Sequence, residues 1–471
     1  MSVSGQLFSA EDKGMNNMVP EIPFDPAVLK NNRAFLVASS IVKRLREASY
    51  CAYLVGGCVR DMVMGKTPSD FDVTTSATPE EVQKLFPRCI GVGVSFGVMI
   101  VVEESMEFEV ATFREERDYE DGRRPEFIRY SKTVAEDVSR RDFTVNALLF
   151  DPEKNVILDH TGGVADLKKG ILRTVGEPLT RFSEDYLRML RAVRFAIRLD
   201  LEMDETTAQA IRQLAPKVKY LSAERIRDEL EKMLTGKNPH KAFILLSRLG
   251  ILKEVLPEVE DLHGVEQPPK YHPEGDVFIH TMLLLEHIAY SNAEVGWSAL
   301  LHDVGKKDTF SIIDGRIRFF GHEEKGANMA EEILQRLKLP AKTIKNVVKA
   351  IAGHMRFSHV QVMRQSKWRQ YLADPNFPLE LELHRLDCMA CHQMVDNYLV
   401  MLDRINELAL AGVSPVPKPL ITGKDLLKMG LKPSPQLGKI LKKIEELQLE
   451  GTVSTREEAL KKAKEIRADA V

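Results

Sequence analysis

LVGGCVRDMVMGKTPSDFDVTTSAT, residues Leu54 to Thr78, sets two glycines and an arginine shortly ahead of an Asp-x-Asp pair, Asp70 and Asp72. YLVGG reads as a strand running into the glycines, and FDVTT reads as a second short strand. Side chains alternate along a strand, so Asp70 and Asp72 are expected on one face. Two carboxylates held together repel, and a cation between them relieves the repulsion. Oxygen-only ligands suit a hard divalent ion, most commonly magnesium with a triphosphate.

Outward from this stretch, Pro26 to Phe150 alternates strand and helix. VLKNNRAFLVASSIVKRLREAS has the apolar spacing of an amphipathic helix, and SFGVMIVVEE and MEFEVATF that of a strand pair. After about Leu167 the strands are expected to stop, because the segments from SEDYLRMLRAVRFAIRLDL onward carry apolar residues at helical spacing. The expected fold class is α+β: a small mixed-sheet head over 26–166 on a long helical body, preceded by a polar leader over 1–25 of disordered composition.

The 471 residues suffice for about three or four domains. With 66 basic against 69 acidic residues and a net charge of −3, nucleic-acid binding has to rest on local patches. No stretch approaches a membrane span, the leader lacks an export-type apolar core, and five cysteines point to reduced thiols; the expectation is a cytoplasmic protein with no membrane partner. Cys388, Cys391 and His392 spell a haem-attachment pattern, but without export the reading is buried thiols in a helix.

Four further features accompany the opening stretch. AEDVSRRDFTVNALLFD places Arg140, Arg141 and Asp142 ahead of a helix-like FTVNALLF containing Asn146. DHTGGVADLKKGILRTVG carries a second Gly-Gly turn. SEDYLRMLRAVRF spaces Asp185, Arg188, Arg191 and Arg194 by three, as one ridge of a helix. TFREERDYEDGRRPEFIRY is densely charged with few apolar anchors, the composition of a mobile loop. Taken singly, each has an ordinary structural explanation: a turn, a solvated strand end, a solvated helix face, a surface excursion. Their joint occurrence in this order matches nucleotidyl transfer. Glycines allow backbone N–H groups close to a triphosphate, and Gly56, Gly57, Arg60 and Arg141 have the chemistry to hold one. A row of arginines with one aspartate presents donors and acceptors to a base edge.

GGCVRD…DFDVTT, RRDFTVNAL, GGVADL, EDYLRMLRAVRF and AERIRDEL resemble, in order, the motifs of bacterial class II tRNA nucleotidyltransferases. That family comprises the CCA-adding enzymes and the bacterial poly(A) polymerases, within the DNA polymerase beta superfamily. The resemblance is dense from Tyr53 to Leu234, and LITGKDLLKMGLKPSPQLGKILKKIEE resembles the family's tail. It implies a polymerase-beta-like head, a helical neck over 167–258 for nucleotide selection and RNA binding, and a tRNA-binding tail over 401–471. It implies magnesium on Asp70 and Asp72, with Glu109 as a third carboxylate. Gly57 and Arg60 would bind triphosphate, Arg141 and Asp142 phosphate or ribose. Asp185 and Arg188 would read the base edge of CTP or ATP, supported by Arg191 and Arg194. The segment Arg114 to Arg129 would be the family's flexible loop; relatives that add only CC lack it, so its Arg123 to Pro125 argues for A addition. The neutral GVGVSFGVMIV stands where poly(A) polymerases carry a basic element. Partners implied are tRNA, CTP and ATP, with no obligatory protein partner; A-only and poly(A) addition are the near alternatives.

The helical half holds an ordered histidine series: His280, His302–Asp303 followed by V-G-K, His322, His354, and then Asp387. Scattered histidines on apolar helices usually sit in a core, but this series resembles the HD phosphohydrolase superfamily. The resemblance implies an HD-type domain over 259–400 with a divalent ion, magnesium or a first-row transition metal, on His280, His302, Asp303 and Asp387. His322 and His354 would add a second ion. A phosphohydrolase with an RNA-binding head is therefore the rival of another class, although an intact Asp-x-Asp counts against it.

Overall fold

A computed structural model of the chain describes residues 19–93, 97–120, 124–269, 272–273, 275–289, 292–391 and 394–468. It forms two compact units divided between Leu221 and Ser222. The stretch expected as a neck, 167–258, is thus shared between them. Residues 1–18 of the expected leader, residues 94–96 of GVGVSFGVMIV, Arg123 and His392 lie outside the described residues.

The first unit carries an eight-stranded mixed sheet. In chain order its strands are β1 Glu21–Pro23, β2 Ala52–Val55, β3 Asp72–Thr75, β4 Cys89–Gly93, β5 Val98–Glu103 and β6 Met106–Thr112. After a separate hairpin, β7 Arg114–Glu120 and β8 Arg124–Tyr130, come β9 Leu149–Asp151 and β10 Val156–Leu158. Across the sheet the order is β1-β10-β9-β2-β3-β6-β5-β4, with β3 and β6 parallel.

Helix α1, Arg33–Glu47, packs one face through Phe35, Ala38, Ile41, Val42 and Leu45 at spacings of three and four. These meet Leu54, Val73, Val110 and Phe150 in the main core of the unit. Burying a side chain of this size stabilises by about 1.5–3 kcal/mol. In β9 the alternation sends Phe150 into this core and Leu149 to a smaller cluster with Val55, Val138 and Ala147. In β3, Val73 takes the core face, so Asp72 and Thr74 take the opposite one.

The remaining helices of the unit are α2 Gly57–Val63, α3 Pro79–Leu85, α4 Val134–Ser139, α5 Gly163–Lys169, α6 Pro178–Glu184, α7 Leu187–Leu199 and α8 Glu205–Leu214.

Several expectations are corrected. The leader contains β1, paired with β10, because a three-residue edge strand leaves little trace in a polar composition. The first helix starts at Arg33, not at Val28, since the Asn32 side chain accepts from Phe35 N–H and caps it there. FTVNALLF is a short 3-10 turn, Thr144–Asn146, followed by β9; a short, wholly buried apolar run carries no helical face to distinguish it from a strand. Arg114 to Arg129 forms the β7–β8 hairpin, with Glu115 opposite Arg129 and Glu120 opposite Arg124. Backbone pairing satisfies a segment that has few apolar anchors. Strands do not stop at Leu167: β11 Ile171–Leu172 pairs β12 Glu202–Met203, and β13 Ser311–Ile313 pairs β14 Arg316–Arg318.

The second unit is otherwise helical. Its helices Val277–Glu286, Ala293–Leu301, Ala341–Gly353 and Phe377–Ala390 pack against one another. Its last helices pack around Ile421, Leu426, Ile440 and Ile444. Among the described residues no helix is long and apolar enough to cross a membrane.

Candidate active site and candidate metal centre

β2 runs into Gly56, whose φ of 78° and ψ of −126° suit glycine and strain any other residue. A Cβ there would lie 3.6 Å from Arg141 Nη1 and 3.8 Å from the Asn146 carbonyl oxygen. The turn, the RRD segment and the following 3-10 turn therefore converge on one spot. The other Gly-Gly is a packing device: a Cβ on Gly163 would stand 2.2 Å from the Thr144 carbonyl oxygen. Asp159 accepts from the backbone N–H groups of Gly162, Gly163 and Val164 and locks that turn beneath the site.

The acids meet across strands remote in sequence. β3 begins at Asp72, so Asp70 sits just before the strand, not within it, and is exposed. The β3–β6 register pairs Val73 with Val110, and extended by one residue it sets Glu109 level with Asp72. Burial pushes the Asp72 carboxyl up, the charges of Glu109 and Asp70 add to it, and Arg141 opposes; the outcome is about 6. Asp72 with the neighbouring carboxylates of Asp70 and Glu109 forms an oxygen donor set fit for a divalent cation.

Arg141 donates from Nη2 to Asp137 Oδ2 at 3.0 Å, while its Nε is buried with no acceptor among the described residues. Asp137 is fully buried, takes Arg140 Nε at 2.9 Å, and accepts from Thr74 Oγ1 at 3.3 Å. Burial works against its charge, yet Arg141 and Arg140 hold its carboxyl below the usual carboxylate range. Arg60 is buried, with Nη1 donating to Asn146 Oδ1 at 2.8 Å and Nε to Asp61 Oδ1 at 2.9 Å. Asn146 donates in turn to Asp142 Oδ1, and Asp142 Oδ2 accepts from Arg191 Nε at 2.9 Å. The Asp142 carboxyl is buried and still lies below its ordinary range, because the Arg191 guanidinium offsets the burial.

The expected arginine ridge differs in detail. α7 starts at Leu187, so Asp185 precedes the helix and accepts from Leu187 N–H. Arg188 and Arg194 are buried rather than solvated. Arg188 donates to the backbone oxygens of Arg181 and Arg140 and pairs with Glu184. Arg194 and Arg191 lie over the Phe195 ring at 4.3 and 5.2 Å. Asp137, Asp61, Glu184 and Phe195 were not singled out from the sequence. For Asp137 a signal existed: an acid four residues before Arg141, the spacing of an intrahelical ion pair.

In the second unit, His280, His302, Asp303, His322, His354 and Asp387 gather as two groups, His280–His302–Asp387 and Asp303–His322–His354. His280 Nε2 is 3.1 Å from Asp387 Oδ1 and 3.3 Å from His302 Nε2. His302, His322 and His354 each donate from Nδ1 to a backbone carbonyl, of Ala299, Phe319 and Ile351 respectively. A carbonyl only accepts, so Nδ1 carries a proton in each ring, and a ring that is neutral presents a bare Nε2 lone pair. Those of His322 and His354 face each other at 3.2 Å, and Asp303 Oδ1 stands 3.6 and 4.0 Å away without a hydrogen-bond donor among the described residues. Burial lowers the His354 pKa to about 4, keeping the ring neutral. Lone pairs and a carboxylate oxygen converging in a buried site fit a shared cation, with the backbone carbonyls orienting each ring. Lys306 Nζ lies 2.7 Å from Asp303 Oδ2, and a cavity of about 620 Å³ opens beside Asp303, His322, His354, Asp387 and Arg318.

The poly A polymerase head domain family matches residues 52–173, an RNA and SrmB-binding site of polymerase A matches 200–262, and a tRNA nucleotidyltransferase domain 2 family matches 322–463. The CCA-adding enzyme of Lactobacillus helveticus is 30% identical over 433 residues, 91% of this chain and 96% of that protein. The CCA-adding enzyme of Geobacillus kaustophilus is 44% identical over 217 residues, 46% of this chain and 54% of that protein. The chain thus spans about half the length of such higher-identity relatives. The crystal structure of the Bacillus stearothermophilus CCA-adding enzyme in complex with CTP superposes with a TM-score of 0.71 at 26% identity, covering 93% of this chain and 100% of that one.

Proposed function

The chain belongs to the family of CCA-adding enzymes, and from that premise we propose that it is a tRNA nucleotidyltransferase that completes tRNA 3′ ends with CCA from CTP and ATP. The observation that carries the reading is the pairing of Asp70, Asp72 and Glu109 with a glycine turn and Arg141, a guanidinium whose Nε lacks an acceptor among the described residues. Acids for a cation and donors for an anion at one place are what a metal–triphosphate requires.

Asp70 and Asp72, with Glu109, would hold magnesium; bound there it would neutralise charge on the phosphates and acidify the attacking 3′ hydroxyl. The chain's own groups bind and orient. The Gly56–Gly57 turn admits the triphosphate close to the backbone. Asp137 aims Arg141 at that turn, and Asn146 couples Arg60 to the Asp142–Arg191 pair. Asp185 and Arg188 would read the nucleobase edge, Arg188 steadied by Glu184. Exposed lysines of the last helices, including Lys424, Lys428, Lys439, Lys442 and Lys443, would grip the tRNA backbone.

The test offers tRNA ending before CCA, in C, and in CC, with labelled CTP or ATP. Incorporation of C, C and then A followed by a stop is expected. Extension confined to CC-ended tRNA would make the enzyme A-adding, and continued A incorporation would make it a poly(A) polymerase.

A second activity rests on the facing Nε2 atoms of His322 and His354 and the orphaned Asp303 Oδ1. The two groups would hold divalent cations of the magnesium or first-row transition type, which supply an activated water for phosphoester hydrolysis. Lys306 and Arg318 at the cavity would offset the charge of a phosphoester.

A further inference from the structure

Beside the cavity of the second unit lies a further ligand trio that shares only His280 with the two groups already described. His272, His280 and Cys391 each place one donor atom within 4.8 Å of the other two. His272 meets His280 edge-on, with ring centroids 5.0 Å apart at 84°. Cys391 caps the helix Phe377–Ala390 and donates its thiol to the Asp387 carbonyl at 2.8 Å. Its half-buried position and its place on the cavity wall with His272 leave the sulfur reachable. Cys388 lines the same cavity but lies against His384, 3.7 Å from a ring nitrogen, and is outside the trio.

We propose that His272, His280 and Cys391 form a site for a thiophilic divalent cation of the zinc class. A tetrahedral zinc with bonds of about 2.0–2.1 Å to nitrogen and about 2.3 Å to sulfur sets its ligands roughly 3.3–3.8 Å apart, so the trio closes on it by shifts of about 1 Å. The fourth position stays open to water. On binding, the Cys391 proton leaves to solvent and the thiolate replaces its hydrogen bond to Asp387 with a sulfur–metal bond. Sulfur discriminates against magnesium, which prefers oxygen. Because His280 also faces His302 and Asp387, a soft cation on the trio draws that ring away from the first histidine group. The site gives the cavity a cation-dependent choice that the oxygen- and imidazole-only groups lack.

Cobalt added to the full-length protein reports on the site through its near-ultraviolet thiolate-to-cobalt charge-transfer band. The band is expected in the unaltered chain and in Cys388→Ser, and is expected to vanish in Cys391→Ser. No band in the unaltered chain, or a band surviving Cys391→Ser, overturns the proposal. A second measurement needs no variant: zinc at ten times its dissociation constant should slow alkylation of Cys391 roughly tenfold while magnesium leaves it unchanged. Equal rates with zinc and without it also overturn the proposal. Both readouts run without substrate, so failure of CCA addition or of phosphoester hydrolysis leaves them intact.

Discussion

The acid site of the first unit and the histidine site of the second gather ligands by opposite means. Asp70 and Glu109 are exposed, and Asp72 is half-buried with its carboxyl raised to about 6 by burial and by its neighbours' charges. His280, His302 and Asp303 are at most 2% exposed, and three of the rings are already fixed through Nδ1. The first site is open, and its charges await a charged ligand. The second is a largely buried cluster beside a cavity, and its donors converge without a ligand. An open acid site suits a large substrate that arrives with its own phosphates, whereas buried and pre-oriented imidazoles suit a small cation.

The sharpest break in that contrast is Asp72→Ala. Nucleotide incorporation should fall by on the order of 10³-fold or more, the scale of removing a group that acts chiefly in the transition state. Metal content of the second unit should not change; incorporation within tenfold of the original would remove Asp72 from the reaction. Conversely, His354→Ala should lower bound metal by about one ion per chain while CCA addition continues. Unchanged metal by elemental analysis would dissolve the Asp303–His322–His354 group.

Asp137→Asn should have an intermediate effect. It keeps shape but removes the charge that steadies Arg141, so the KM for CTP and ATP should rise by about tenfold, roughly 1.4 kcal/mol, with kcat less affected. A fall in kcat with KM unmoved would show that Arg141 is held by other groups. The smallest effect is a slope. The Asp142 carboxyl is depressed in the folded chain by Arg191, so it contributes stability that is present above its unfolded value, near pH 4, and lost as pH falls through its folded value. Asp142→Asn should flatten the dependence of unfolding free energy on pH below about 4. An unaltered acid limb would mean that the Arg191 pair contributes nothing to it.

Much of this was legible in residue order. Gly56, Gly57, Asp70 and Asp72 are near neighbours, so a local motif carried them, while the histidine series was gathered by its resemblance to the HD phosphohydrolases. The errors fell on segments whose state is decided by burial. FTVNALLF reads equally as helix or strand until it is placed between β2 and β10. Spacing put the arginines of α7 on one ridge, but their partners Glu184, Asp142 and Phe195 emerge only on packing.

By itself the sequence determined the inventory: an acid pair beside a glycine turn, a row of arginines, and six metal-type ligands in order. Local spacing suffices for the acid pair and the arginine row, since neighbours along the chain stay neighbours in space; the six ligands, spread from His280 to Asp387, were assembled by the resemblance to the HD phosphohydrolases. Only the tertiary structure brought Glu109 level with Asp72, put Asp137 under Arg141, and moved Asp303 from the expected set with His280, His302 and Asp387 to a group with His322 and His354. Those decisions depend on strand register and helix packing between segments tens of residues apart, where burial and pairing, not spacing, select the partner.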